Sequence, residues 1–290
     1  MQLIDTHQHL ILRDHLGYAW ADALPPLAGK GFTPQDYADQ TAGHTVIGTL
    51  FMEAGVDEAD YQAEARLVSG LVGTGGMLGQ IASCRPETDA GFTDWLDECT
   101  DLGVLGFRRI LHVVADDLSQ STTFRRNLRQ IGARGLPFDL CVRADQHGLA
   151  EDLVRACDGQ VFVLDHCANP DIAADRFDVW AKGLHRLAAL PHVMVKLSGI
   201  TANARPDQHN VTALRPYVDH VIACFGPDRM CWGGDWPVVD LGAGLPAWIG
   251  LTHDLLSGLS QADQQAIGTG TAQRIYGLRP WGLPTGTPAA

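Results

Sequence analysis

The sequence predicts an α/β fold, a single (β/α)₈ (TIM) barrel. Three observations carry that reading. Eight short apolar runs recur along the 290 residues, helical patterns separate them, and titratable residues gather where the runs end. The runs are 2–10, 45–54, 77–83, 104–111, 137–142, 161–165, 192–197 and 230–233. Several are rich in Val, Ile, Leu and Phe with little alternation, as parallel strands buried on both faces should be.

The helical stretches follow in turn. Thr33-Pro34-Gln35-Asp36 offers an N-cap, a proline at the first helical position and an acidic first turn. Apolar residues recur at helical spacing over 57–72, 93–101, 121–134, 146–157 and 176–189. Further helices are expected at 216–225, 246–256 and 260–268. The barrel is expected to occupy 1–278 as one domain, with a loose Pro/Gly-rich tail at 279–290. An open doubly wound sheet would need a glycine-rich loop after its first strand. Here the first run ends His7-Gln8-His9-Leu10, and no glycine appears before Gly17.

Composition narrows the function. Hydrophobic residues make up 46% and charged residues 19%, with a net charge of −13. Such an acidic balance disfavours nucleic acid or an anionic membrane as partner and leaves a small molecule. Seven cysteines without a CxxC pair point to free thiols in a reducing cytoplasm. No signal-peptide pattern or membrane-length apolar run is seen. Oligomeric state is not legible.

In a barrel of this type the active site lies at the C-terminal ends of the strands. His7 and His9 are two apart on the first strand and therefore share a face. Paired imidazoles form half of a divalent-metal site or a clamp for a substrate oxygen. Other strand ends bring Glu53, Arg108, Arg109, His112, Arg143, His166, Lys196 and Asp235. A lone HxH arises by chance in many chains, and single residues have plainer readings. Lys196 could snorkel from a strand end, Asp235 could open a turn, and Arg109 could face outward to pair with a helix carboxylate. The weight rests on His7, His9, His166 and Asp235 together at three strand ends.

Ordered motifs then match a known family. They are Ile-Asp-Thr-His-Gln-His at 4–9, Gly-Phe-Arg at 106–108, Leu-Pro-Phe-Asp-Leu at 136–140 and Val-Leu-Asp-His at 163–166. Val-Lys-Leu-Ser-Gly at 195–199, Arg-Pro-Tyr-Val-Asp-His at 215–220, Phe-Gly-Pro-Asp-Arg at 225–229 and Gly-Gly-Asp-Trp-Pro at 233–237 complete them. The chain thereby resembles the amidohydrolase superfamily, in the branch of sugar-lactone and 2-pyrone-4,6-dicarboxylate-type lactone hydrolases. The resemblance implies a distorted (β/α)₈ barrel with His7, His9, His166 and Asp235 around the reaction centre. It implies a cytoplasmic hydrolase of carbohydrate metabolism acting on an aldonolactone of the L-fucono- or L-rhamnono- type.

Asp235 is then the expected general base. His7, His9 and His166, with Asp235 and Glu53, are expected to hold one divalent metal, zinc or manganese; a metal-free clamp of imidazoles is the alternative. Trp20, Glu53, Arg108, His112, Arg143 and Trp236 are expected to contact substrate, the arginines by bidentate pairing and the tryptophans by packing on the sugar ring. Three positions depart from the family pattern. Glu53 and His112 stand where glutamine is common, and Gly270-Thr271-Ala272 replaces Gly-Asn-Ala. No lysine ends a middle strand for carbamylation, which argues against a two-metal centre. A dicarboxylate lactone ranks second, because only Arg108 and Arg143 are well placed to meet carboxylates. A metal-dependent decarboxylase of the same branch is a third reading, and a non-catalytic binder on the same barrel a fourth.

Overall fold

The computed structural model describes residues 1–278. The tail expected at 279–290 lies outside them. Eight strands form one sheet in sequential order: β1 Leu3–Gln8, β2 Val46–Met52, β3 Met77–Ser83, β4 Val104–Ile110, β5 Phe138–Cys141, β6 Phe162–Leu164, β7 Val193–Leu197 and β8 Met230–Trp232. All seven successive pairings, β1 with β2 through β7 with β8, are parallel. Helices connect them, so the chain is a (β/α)₈ barrel.

Each strand is buried on both faces, and the two faces feed separate cores. Phe51, Phe107, Phe138, Phe162 and Val195 point outward and pack under the helices. Ile4, Leu50, Met52, Ile81, Val163 and Cys231 form a second cluster inside, against Ala272 and Tyr276 of the last helical turns. Thr33 caps the helix Pro34–Thr41 as expected, in a reciprocal box with Asp36. One helix begins earlier than the sequence indicates: it spans Val211–Phe225, capped by Asn210, and carries Pro216 in its interior. Proline at a first turn is the commoner case, and that preference placed the start too late. The cysteines among the described residues are all unpaired, in keeping with the free-thiol reading. No helix there is long and apolar enough to cross a membrane.

The barrel closes differently from the way it is built. β1 meets the segment that follows β8 through a single isolated bridge, Gln8 with Trp236. Side chains complete the seam. Thr6 Oγ1 donates to Trp232 O at 2.7 Å. Asp5 Oδ1 accepts from Gly234 N at 2.7 Å and His7 N at 2.9 Å, while Tyr37 Oη donates to its other oxygen at 2.6 Å. Two backbone bonds finish it: Asp235 N to His7 O at 2.8 Å and His9 N to Trp236 O at 2.8 Å.

Candidate active site

That seam is where the chemistry gathers. Asp235 is held against β1 by its own peptide N–H, in the left-handed region at φ 57°. Its carboxylate lies 3.8 Å from His7 Nε2 and 3.6 Å from His9 Nε2 through one oxygen, and 3.7 Å from His166 Nδ1 through the other. The four residues expected to converge stand together at the C-terminal rim. His166 begins four consecutive left-handed residues, His166 to Asn169, with φ between 51 and 58°. Such backbone is costly for non-glycine residues and collects at functional sites. Here it turns the chain after β6 so that the imidazole reaches Asp235 and Ser198 Oγ, the latter at 3.0 Å.

Gly199 makes room for this contact. A Cβ there would sit 2.4 Å from His166 Nδ1 and 2.8 Å from Asp235 Oδ2, at a φ of 64°. Gly199→Ala is therefore expected to push the base and the imidazole apart and lower kcat about 100-fold. A kinetic comparison with wild type checks this; unchanged kcat would show that their spacing does not matter.

The protonation pattern follows from the neighbours. His9 Nδ1 meets Met52 O at 2.9 Å, so that nitrogen carries the proton and Nε2 the lone pair. Arg108 Nη1, which can only donate, lies 3.1 Å from His7 Nε2. Lys196 Nζ, also an obligate donor, lies 3.4 Å from His7 Nδ1, but Arg108 is nearer; we therefore place the His7 lone pair on Nε2, with Nδ1 3.3 Å from Asp165 Oδ1. Burial holds His7 well below the ordinary histidine pKa, and it also lowers His166. Asp165 is opposed by burial, yet His7, Lys196 and Arg108 outweigh that and keep its carboxyl well below the usual range. Two imidazole lone pairs and a carboxylate are therefore aimed at one point. That arrangement fits a cation, because the N–H of His9 is spent on Met52 O and the lone pairs placed on Nε2 of His7 and His9 face the Asp235 carboxylate. Among the described residues, His7–His9–Asp235 and His7–Asp165–His166 are the closely spaced donor groups. Mixed imidazole and carboxylate donors suit zinc. Arg108 would compete with the ion for His7 Nε2.

Beneath the rim lies a buried charged network. Lys196 is fully buried and does not snorkel; it meets Asp139 Oδ1 at 2.5 Å, Thr6 O at 3.0 Å and Asp165 Oδ1 at 3.5 Å. Tyr276 Oη donates to Asp139 at 3.0 Å. Sequence reasoning gave Asp139 and Asp165 no role; the signal was an acid inside each of two apolar strand runs.

A cavity of about 360 Å³ opens over the rim, lined in part by His9, His166, Asp235, Trp20, Glu53 and His112. A larger one of about 540 Å³ lies beside it and shares His112, but contains none of His9, His166 or Asp235. The smaller cavity is therefore the candidate reaction chamber. Trp20 donates through Nε1 to Ala54 O at 2.8 Å, and His112 Nδ1 lies 3.2 Å from Cys141 Sγ.

Other expectations need correction. Arg108 lines the chamber, but most of its guanidinium is committed to neighbouring protein groups. It is 3% exposed, and it donates to Glu53 Oε1 and Glu53 O, each at 2.6 Å, and to Asp165 Oδ2 at 3.3 Å. Glu53, expected among the metal ligands, is committed to Arg108 and to Gly55 N at 3.0 Å, and it belongs to neither donor group. Arg143 lines the larger cavity, donating to His112 O at 2.8 Å and Asp145 Oδ1 at 3.0 Å. Trp236 is 2% exposed and packs edge-on against Phe32 and Tyr37, behind the wall rather than in it. Arg109 does pair with carboxylates, Glu87 and Glu58, but as part of the cavity wall. Arg85, Glu58 and Ser83 also line the chamber and were not anticipated.

Fold and site together describe a (β/α)₈ barrel with three imidazoles and one carboxylate gathered on its C-terminal rim. The amidohydrolase family profile matches residues 4–278, and the chain belongs to that family. An L-fucono-1,5-lactonase of Burkholderia multivorans is 28% identical over 289 residues, covering 95% of this chain and 96% of that one. An L-fucono-1,5-lactonase of Burkholderia ambifaria is 28% identical over 278 residues, covering 94% and 92%. A crystal structure of a Burkholderia multivorans amidohydrolase with bound zinc superposes at a TM-score of 0.85, with 25% identity over 96% of this chain and 100% of that one.

Proposed function

We propose that the protein is a lactonase, opening the ring of a sugar-derived lactone by attack of water. One observation carries the reading: a single carboxylate, Asp235, stands within 4 Å of three imidazoles on the floor of a chamber sized for one sugar ring. The similarity to L-fucono-1,5-lactonases supports an aldonolactone as the substrate.

Ester hydrolysis needs a deprotonated water and charge stabilisation at the carbonyl oxygen. Asp235 accepts the proton from water. His7 and His9 present lone pairs, with His166 and Asp235 completing the set that would hold a divalent cation. When bound, such an ion supplies Lewis-acid polarisation and lowers the pKa of water. Asp165 orients His7 from behind, as outer partners of ligating histidines do. Arg108 and Lys196 add buried positive charge close to the developing oxyanion. Trp20 and the Ala54–Val56 backbone wall one side of the chamber and exclude water from it.

A pH-indicator screen for acid release over a panel of aldonolactones tests the reading. Release from a subset of the panel is expected, with loss after chelator treatment and recovery on adding zinc. No release from any lactone would overturn the assignment. Activity that survives complete metal removal would return the imidazoles to the metal-free role.

A further inference from the structure

The reaction chamber has a second polar end that ring opening does not use. Arg85, just beyond β3, and Arg109, in β4, both line it, with side chains only 11% and 13% exposed. Arg85 is fixed from behind. Its guanidinium lies over the Tyr61 ring at 4.3 Å, and Nη1 donates to Ser83 Oγ at 2.8 Å and Cys84 O at 2.9 Å. The remaining edge, Nε and Nη2, forks onto the two oxygens of Glu58, with Nη2 to Oε2 at 2.9 Å. Arg109 Nη1 lies 3.5 Å from the same Glu58 oxygen, and Nη2 meets Glu87 Oε1 at 2.8 Å. Its Nε is buried without a hydrogen-bond partner.

Glu58 differs from the groups it meets. It starts a one-turn helix on the loop after β2, and its side chain is 69% exposed. A planar guanidinium edge selects carboxylates by geometry as well as by charge. Here that edge is preset by contacts independent of Glu58, while the carboxylate filling it hangs from a solvated side chain. Glu58 can swing into solvent, but the fork it leaves is bidentate, so only a ligand carboxylate that reproduces both contacts would displace it. With Glu58 in place, two guanidinium and two carboxylate charges cancel. With Glu58 swung out, one net positive charge remains, and Arg85 Nε and Nη2 and Arg109 Nη1 lose their partner.

We propose that Arg85 and Arg109 form a carboxylate subsite, that Glu58 occupies it in the free enzyme, and that the preferred lactone displaces Glu58 with an acid group on its carbon chain remote from the ring ester. This rests on the lactonase reading and replaces its neutral aldonolactone with a charged relative: the substrate class becomes the monolactone of an aldaric acid, and the product an open-chain diacid. Of the two arginines expected to meet carboxylates, Arg143 lines the other cavity and Arg108 lines the chamber but is bound to Glu53 and Asp165, so Arg85 and Arg109 add a second pair to the chamber wall.

Calorimetric titration with open-chain products tests it without requiring turnover. Glucarate and galactarate are compared with gluconate and galactonate, which lack the remote carboxylate. Wild type is expected to bind the diacids about tenfold more tightly than the matching monoacids. Glu58→Ala, at an exposed site, should widen that ratio, since the internal competitor is gone. Arg109→Met should collapse it towards one, with Arg85→Lys as a second variant that keeps charge and loses the fork. Equal binding of diacid and monoacid by wild type and Glu58→Ala overturns the subsite, as does failure of both to bind any diacid or a ratio that neither arginine variant moves. An enzyme that prefers diacids but opens no lactone would sink the reaction and spare the subsite; one that opens neutral aldonolactones without diacid preference would do the reverse.

Discussion

Asp235→Asn is expected to lower kcat by about 10²- to 10⁴-fold while KM stays within a few-fold. Asparagine keeps the size of the side chain and tolerates the left-handed backbone at φ 57°. It also keeps the peptide N–H that bonds to His7 O, so the seam between β1 and β8 survives. What disappears is the negative oxygen between the imidazoles and its ability to take a proton from water. Steady-state kinetics on whichever lactone the acid-release screen identifies, with thermal melting alongside, separates this from misfolding. Retention of kcat within a few-fold would remove Asp235 as the base.

Arg108→Met is expected to cost stability before it costs binding. A surface-like arginine that merely orients substrate would raise KM alone when lost. The structure argues otherwise, because the guanidinium sits 3% exposed between Glu53, Asp165 and His7. Removing one partner of a buried ion pair leaves the others charged and unmatched, a loss of about 3–5 kcal/mol. In a chain of this length that corresponds to a drop in Tm of roughly 10 °C. Turnover should fall as well, since His7 loses the donor that places its lone pair. Arg108→Lys should rescue little, because an ammonium cannot span Glu53 and His7 as the planar fork does. Differential scanning calorimetry with kinetics reads both effects; an unchanged Tm with a raised KM would restore the substrate-orienting role.

The barrel was legible because its strands are short apolar runs buried on both faces, and each lies within a run marked in the sequence. The spacing of His7, His9, His166 and Asp235 at strand ends likewise carries their convergence, since strand ends meet at one rim. The arginines were harder. Arg108 and Arg109 are neighbours in β4, and which of them is buried against acids depends on Glu53 arriving from beyond β2 and Asp165 from beyond β6. No local pattern encodes those meetings. Arg85 and Glu58 sit in loops, where periodicity carries no signal. Trp236 looked like a platform because it follows the base, yet the backbone bond from His9 N to its carbonyl draws it into the seam, and its ring packs behind with Phe32 and Tyr37.

The contacts that shut the cylinder are also the contacts that assemble its reactive groups. Asp235 and His7 come from opposite ends of the sequence and are joined peptide to peptide only when the first and last staves meet. On the proposed mechanism, a chain that lacks the segment after β8 has no carboxylate beside the three imidazoles and is expected to be inactive. Turnover is thus a gauge of finished folding.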